Sequence, residues 1–225
     1  MNQASDFILC KNFINEFIEE YLKGDIYALL YFDFASLHQD KRFGCNSRGF
    51  DCDDTNITRA ICFILWGEIF PDITFSDIGT GNKYRGDTLN TFHTVLGAYL
   101  PDKHSCLGIE KSNADNRLRV LANKFHAIYH SIGNFILLPN IAETDKKRAY
   151  TFNTYRGIAY KDYFVDDKPQ EIFSPFIYCL RKRQEWTNSE KSFYIEHVEK
   201  YIISATNIIQ NRAKKIIEKL SMKCC

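Results

Sequence analysis

The chain has 225 residues, a formal net charge of +1, an apolar share of 45 % and a charged share of 25 %. That length fits one domain that buries a core without staples, and an aromatic share of 15 % excludes a disordered tail protein. No apolar run approaches the ~20 residues that span a bilayer, and Met1 to Asp6 lacks the basic start of a secretory leader, so a cytoplasmic protein with no membrane partner is expected.

In chain order, the first predicted element is a helix. Asp6 is placed to cap it, and Leu9, Phe13, Ile14, Phe17, Ile18, Tyr21 and Leu22 recur at helical spacing before Gly24 ends it. A second helix is expected from Asp25 to Leu37, packed on the first as a hairpin. Lys41 to Asn56 is polar, contains Gly44 and Gly49, and reads as a loop. Ile57 to Phe70 is too apolar for an exposed helix, so a buried one is expected, stopped by Pro71. Residues 71–84, with Gly79 and Gly81, read as a second loop. Asp87 then occupies an N-cap position before Leu89, Phe92, Val95, Leu96 and Tyr99.

A further helix is expected from Asp115 to Tyr129, with Leu118, Leu121, Ala122, Phe125 and Ile128 as its apolar stripe. Ile132 to Leu138 is short and apolar and is closed by Pro139, which suits a strand or a buried extended segment. Glu171 to Gln184 reads as a shorter helix interrupted by Pro175. The last helix, over 186–222, opens on the capping-box spacing of Thr187 and Glu190. The fold class expected is therefore mainly α: one compact helical domain over 1–225 with a long C-terminal helix and at most a short strand or extended segment near 132–138.

The eight cysteines show no C-x2-C pair and read as reduced thiols that pack as small hydrophobes, although Cys45 and Cys52 bracket a polar loop. The near-neutral total hides an asymmetry. Residues 1–60 hold six Lys/Arg against ten Asp/Glu, whereas 181–225 hold ten against five. The basic C-terminal helix suits nucleic acid, a second copy of the chain or an acidic partner protein, or simply a solvated face.

Three polar clusters lie between the apolar runs. In Tyr84-Arg85-Gly86-Asp87-Thr88-Leu89-Asn90, an Arg before a helix start would make an anion-friendly corner, with an ordinary Asp cap as the plainer reading. In His126-x3-His130-Ser131-Ile132-Gly133-Asn134, two histidines four apart would share a helix face, as metal ligands do, but Ala127 stands where a zincin has Glu. The same turn would aim His130 and Asn134 into a cleft, where a single His is the commonest proton-transfer group. The third cluster combines Asn153-Thr154-Tyr155-Arg156-Gly157 with Lys161-Asp162-Tyr163-Phe164. There Arg156 and Lys161 suit an anion, and Asp162 a base or metal ligand.

Three likenesses bear on these clusters. YRGDTLNTF, YHSIGNFILLPN, FNTYRG and KDYF, in that order, resemble the motifs of a bacterial domain-of-unknown-function family common in low-GC Gram-positive and gut bacteria. The likeness covers roughly residues 57–220, with Thr91, Ser131, Phe152 and Val165 as departures from its pattern. Arg119 and His126, six residues between them, resemble the Arg-x4-6-His motif of HEPN ribonucleases, which implies metal-free chemistry with the Arg on the phosphate and the His moving a proton. The segment from Ile132 to Leu138 is similar to the GNL-T-LL segment of HNH-type nuclease domains, whose long last helix carries a basic residue near its middle, here Arg212. The upstream His-Ile-x-Pro motif of those domains is absent, and His104 is a poor substitute.

Two functions follow as expectations. In the first, the chain is an enzyme on a phosphate-bearing substrate, such as a nuclease of the phage-defence or toxin type. His130, Arg85, Arg156 and Asn134 are then the catalytic set. Asn90, Lys161, Asp87 and Asp162 bind substrate, and Asp87 or Asp162 would hold a divalent metal if the chemistry uses one. In the second, it is a non-catalytic helical interaction module of a defence or toxin–antitoxin system that docks through its C-terminal helix.

Overall fold

The computed structural model describes residues 3–44, 52–67, 73–79, 82–88, 116–139 and 188–224. Its described part is mainly α, with one two-stranded sheet. The elements are α1 (Gln3–Leu22), α2 (Asn56–Trp66), β1 (Tyr84–Thr88), α3 (Asn116–His126), β2 (Phe135–Pro139) and α4 (Asn188–Cys224), with short 3-10 turns between them. The chain divides into two compact units, one of Met1–Leu89, His130–Asn140 and Gln210–Cys225, the other of Asn90–Tyr129 and Ile141–Ile209.

The core of the first unit forms where α1 packs on α2. Cys10, Ile14, Phe17, Ile18 and Leu22 are buried on α1, and α2 is buried from Ile57 to Trp66 except at Arg59. Helix α2 starts where Thr55 takes a bond from Thr58 N, and it ends at Gly67. Phe17 sits among Phe32, Phe34 and Phe43 at centroid distances of 5.2, 6.1 and 5.3 Å, and Phe34 meets Phe135 at 5.3 Å. Ala213, Ile216, Ile217 and Leu220 bring the last turns of α4 into this unit's core. In the second unit, α3 buries Leu118, Ala122 and Phe125, and α4 buries Ile202, Ala205 and Ile209. An exposed Arg117 pairs with Glu199 there at 3.1 Å.

Several expected elements form as the pattern predicts. Helix α1 ends at Gly24, whose φ of +82° is the left-handed cap that glycine adopts readily. The apolar run after residue 56 is a buried helix, residues 135–139 are a strand, and the long last helix is present.

Other expectations are corrected. Asp6 is not a cap: it lies inside α1, 2 % exposed, and its carboxylate accepts the Phe75 N–H at 3.0 Å. The second helix is two 3-10 turns, Ile26–Leu30 and Phe34–Gln39. Asp25 and Asp33 each capture the N–H two residues on, at 2.9 Å, and so restart the chain where a continuous helix would run. Asp87 is not an N-cap either, because Tyr84–Thr88 is a strand antiparallel to Phe135–Pro139, with Asp87 opposite Ile136. Ladder bonds to a buried strand satisfy this backbone better than one local cap. The helix expected after Asp87, the one over Glu171 to Gln184, and the Thr187 cap lie outside the described residues.

Candidate functional site

Strands β1 and β2 pair in the first unit, and β2 continues from the turn after His130. The pairing runs Tyr84 with Pro139, Arg85 with Leu138, Gly86 with Leu137, Asp87 with Ile136 and Thr88 with Phe135. The first cluster, YRGDT, therefore runs alongside the strand that continues directly from the second, HSIGN. Gly86 is essential to this closeness: a Cβ there would collide with the backbone carbonyl of Asp53. The backbones of Arg85 and Asp87 lie in β1, but their side chains are outside the description, as are Asn90, Arg156, Lys161 and Asp162.

His130 is the predicted site residue with a resolved setting. Its carbonyl accepts the Phe34 N–H at 3.2 Å, which ties the turn to the 3-10 segment. Its Nδ1 stands 3.4 Å from Asp33 Oδ1, with the His side chain 23 % exposed and the Asp side chain 56 % exposed. The ring is partly sheltered and partly open to solvent. Asp33 was not singled out in the sequence. Its only local signal was a capping position, which says nothing about a partner almost a hundred residues on.

The turn after His130 faces inward. Ser131 and Asn134 are 1 % and 0 % exposed, so Asn134 is closed to solvent in this arrangement. Arg212, also fully buried, donates through Nη1 to the Gly133 carbonyl, and through Nη1 and Nη2 to the Phe135 carbonyl at 3.2 Å each. The basic residue noted in the last helix thus splints the turn. Asp53 and Asp54, 5 % and 8 % exposed, lie in the 3-10 turn before α2. Burial raises the Cys62 thiol above its ordinary range; the Asp53 and Asp54 carboxylates raise it further, and Arg212 opposes them. The charges of two carboxylates and a guanidinium therefore act on one buried thiol, and the two aspartates are buried where the sequence reading expected a polar loop.

The histidine metal pair loses its premise, since α3 ends at His126 and His130 is not on that helix. Among the described residues, no group of three or more His, Cys, Asp or Glu is placed to hold a metal ion. Arg119 and His126 lie two turns apart on α3, Arg119 half-buried and His126 exposed with its ring 5.7 Å from Tyr129. Cys10, Cys52, Cys62 and Cys224 are buried. No helix among the described residues is long and apolar enough to cross a membrane. No family model, curated protein or solved structure matches the chain.

Proposed function

We propose that the protein is a cytoplasmic enzyme acting on a phosphate-bearing substrate, most simply a nuclease used as a phage-defence or toxin-type effector. His130 moves the proton, Arg85 and Arg156 hold phosphate, and Asn90, Lys161, Asp87 and Asp162 complete the substrate contacts. Asn134, being buried, keeps its place in this set by shaping the turn that carries His130. The bacterial family likeness belongs to this proposal and carries no activity with it. The observation that supports the reading best is the β1–β2 pairing, which runs the RGDT segment beside the strand that emerges from the His130 turn. A partly exposed imidazole on a turn whose strand pairs with an Arg-bearing segment suits phosphoryl chemistry, which uses a proton-transfer group together with a cation.

The test is incubation of purified, folded protein with labelled RNA and DNA, with and without Mg2+ or Mn2+. Cleavage is expected, and His130→Ala should reduce it by about 100-fold or more. Folded protein that cuts neither nucleic acid in any condition overturns the reading.

A second reading, a non-catalytic helical interaction module, is favoured by a separate observation. Gly86, Asn134 and Arg212 are all buried and fit the needs of the fold. Under that reading the motifs are structural and α4 docks a partner protein or a second copy of the chain. A His130→Ala protein with full biological activity would select it.

A further inference from the structure

The geometry points to Asp33 as the positioning residue of His130: its carboxylate holds the imidazole proton on Nδ1 and so presents Nε2 as the proton acceptor. This inference deepens the proposed function and rests on it for its catalytic consequence, but the positioning itself is read from three fixed contacts.

The first contact fixes the carboxylate. Asp33 caps the turn Phe34–Gln39, and its Oδ1 accepts the Ala35 N–H at 2.9 Å. A carboxylate tied down by a backbone donor has lost its rotamer freedom before any partner arrives. The second contact fixes the histidine backbone, because Phe34 N–H donates to the His130 carbonyl at 3.2 Å. Asp33 and His130 thus approach across a bonded backbone joint instead of at the ends of two loose side chains. The third contact is the result: the same Oδ1 faces His130 Nδ1 at 3.4 Å. Beneath the joint, the Phe34 and Phe135 rings pack at 5.3 Å, and the Arg212 fork holds the Gly133 and Phe135 carbonyls. The support under the pair is buried even though the pair is partly exposed.

An ionised carboxylate only accepts, so the ring nitrogen that faces it carries the proton. The second nitrogen then keeps its lone pair in the neutral ring, and which nitrogen is basic is decided by the partner of the other. In a proton-transfer step, Nε2 takes the proton of the hydroxyl or water whose oxygen bonds phosphorus as the P–O bond to the leaving oxygen breaks, and the imidazolium, stabilised by Asp33, returns that proton to the leaving oxygen. The carboxylate stays ionised throughout, and His130 ends the cycle neutral.

Asp33→Ser tests this, since Ser caps a helical turn about as well as Asp does but carries a shorter, neutral hydroxyl where the carboxylate oxygen faced Nδ1. The readout is the long-range 1H–15N spectrum of the His130 imidazole at a pH where it is neutral, assigned by loss of its signals in His130→Gln. The native protein should carry the proton on Nδ1. Asp33→Ser should move a measurable fraction to Nε2, with an unchanged far-UV circular dichroism spectrum. In the cleavage assay the same variant should lower kcat by about tenfold or more with KM little changed.

An unchanged tautomer in folded Asp33→Ser overturns the inference. So does a changed tautomer with full kcat when His130→Ala is inactive. If His130→Ala retains full cleavage, the catalytic reading of His130 falls instead. The spectrum alone then decides whether Asp33 holds the ring.

Discussion

Gly86 and Arg212 show how single side chains set the geometry of the His130 region. Gly86 has no Cβ because the Asp53 carbonyl already occupies that space. Gly86→Ala should cost about 1–3 kcal/mol or more through overpacking, read as a lower urea midpoint. Arg212 is the splint of the Gly133–Phe135 turn. Arg212→Ala strips charge-assisted bonds worth about 1.5–3 kcal/mol each and leaves buried carbonyls unpaired. Arg212→Lys should recover little of the loss, because an ammonium cannot reproduce the planar fork across two carbonyls. Two buried thiols, Cys10 and Cys62, lie in the core of the first unit. Burial, then the Asp6 carboxylate, pushes Cys10 up to about 12, and Cys62 is raised for the same first reason. Neither should react with a thiol reagent at pH 8 until the protein unfolds, a result that site-resolved mass spectrometry after alkylation reports directly.

Among the elements, α2 organises the first unit because it is buried on nearly every side. Such a helix needs its end groups satisfied without water. Thr55 does this at the start, accepting Thr58 N at 3.2 Å while its Oγ1 lies 2.9 Å from Thr58 Oγ1. Thr55→Ala should therefore lower stability by about 1 kcal/mol, and Thr55→Ser should not. The 3-10 turns illustrate the opposite case. Apolar spacing alone suggests one helix over 25–37, but two aspartates compete for its backbone and divide it. One of these, Asp33, acquires its proposed role through that division. The boundary at Gly24 was legible from capping chemistry, that at Thr55 was not singled out, and those at Asp6 and Asp87 were misread, because a tertiary bond or a ladder outcompeted the cap.

For the whole molecule, pH is the simplest global probe. Two carboxylates are held below their ordinary range. In Asp77 the cause is the Thr74 N–H, bonded at 2.8 Å, which outweighs burial. In Asp40 burial pushes upward, but the Tyr21 hydroxyl and the Phe43 and Arg42 N–H groups together prevail. A depressed folded-state value stabilises the fold above the unfolded carboxylate range of ~4, and that contribution disappears as pH falls through the folded value. Urea midpoints should accordingly drop on acidification below about pH 4. The gap between the parent and Asp77→Asn should narrow over the same interval. The Tyr21 hydroxyl responds in the opposite direction: its bond to Asp40 raises it to about 12, so that contact persists until strongly alkaline pH.

The sequence by itself determined the helical class, the buried character of α2, a short apolar strand or extended segment near 132–138 and the long last helix. Each of these follows from apolar periodicity or local capping, which act between near neighbours. It also marked His130 as a proton-transfer candidate by residue type. Tertiary structure alone decided that Arg85 and Asp87 lie in a strand, that Asn134 is closed to solvent, that Arg212 serves the turn, and that Asp33 faces His130. These outcomes depend on which distant backbones pair and which groups lose water on folding, and no local spacing encodes either.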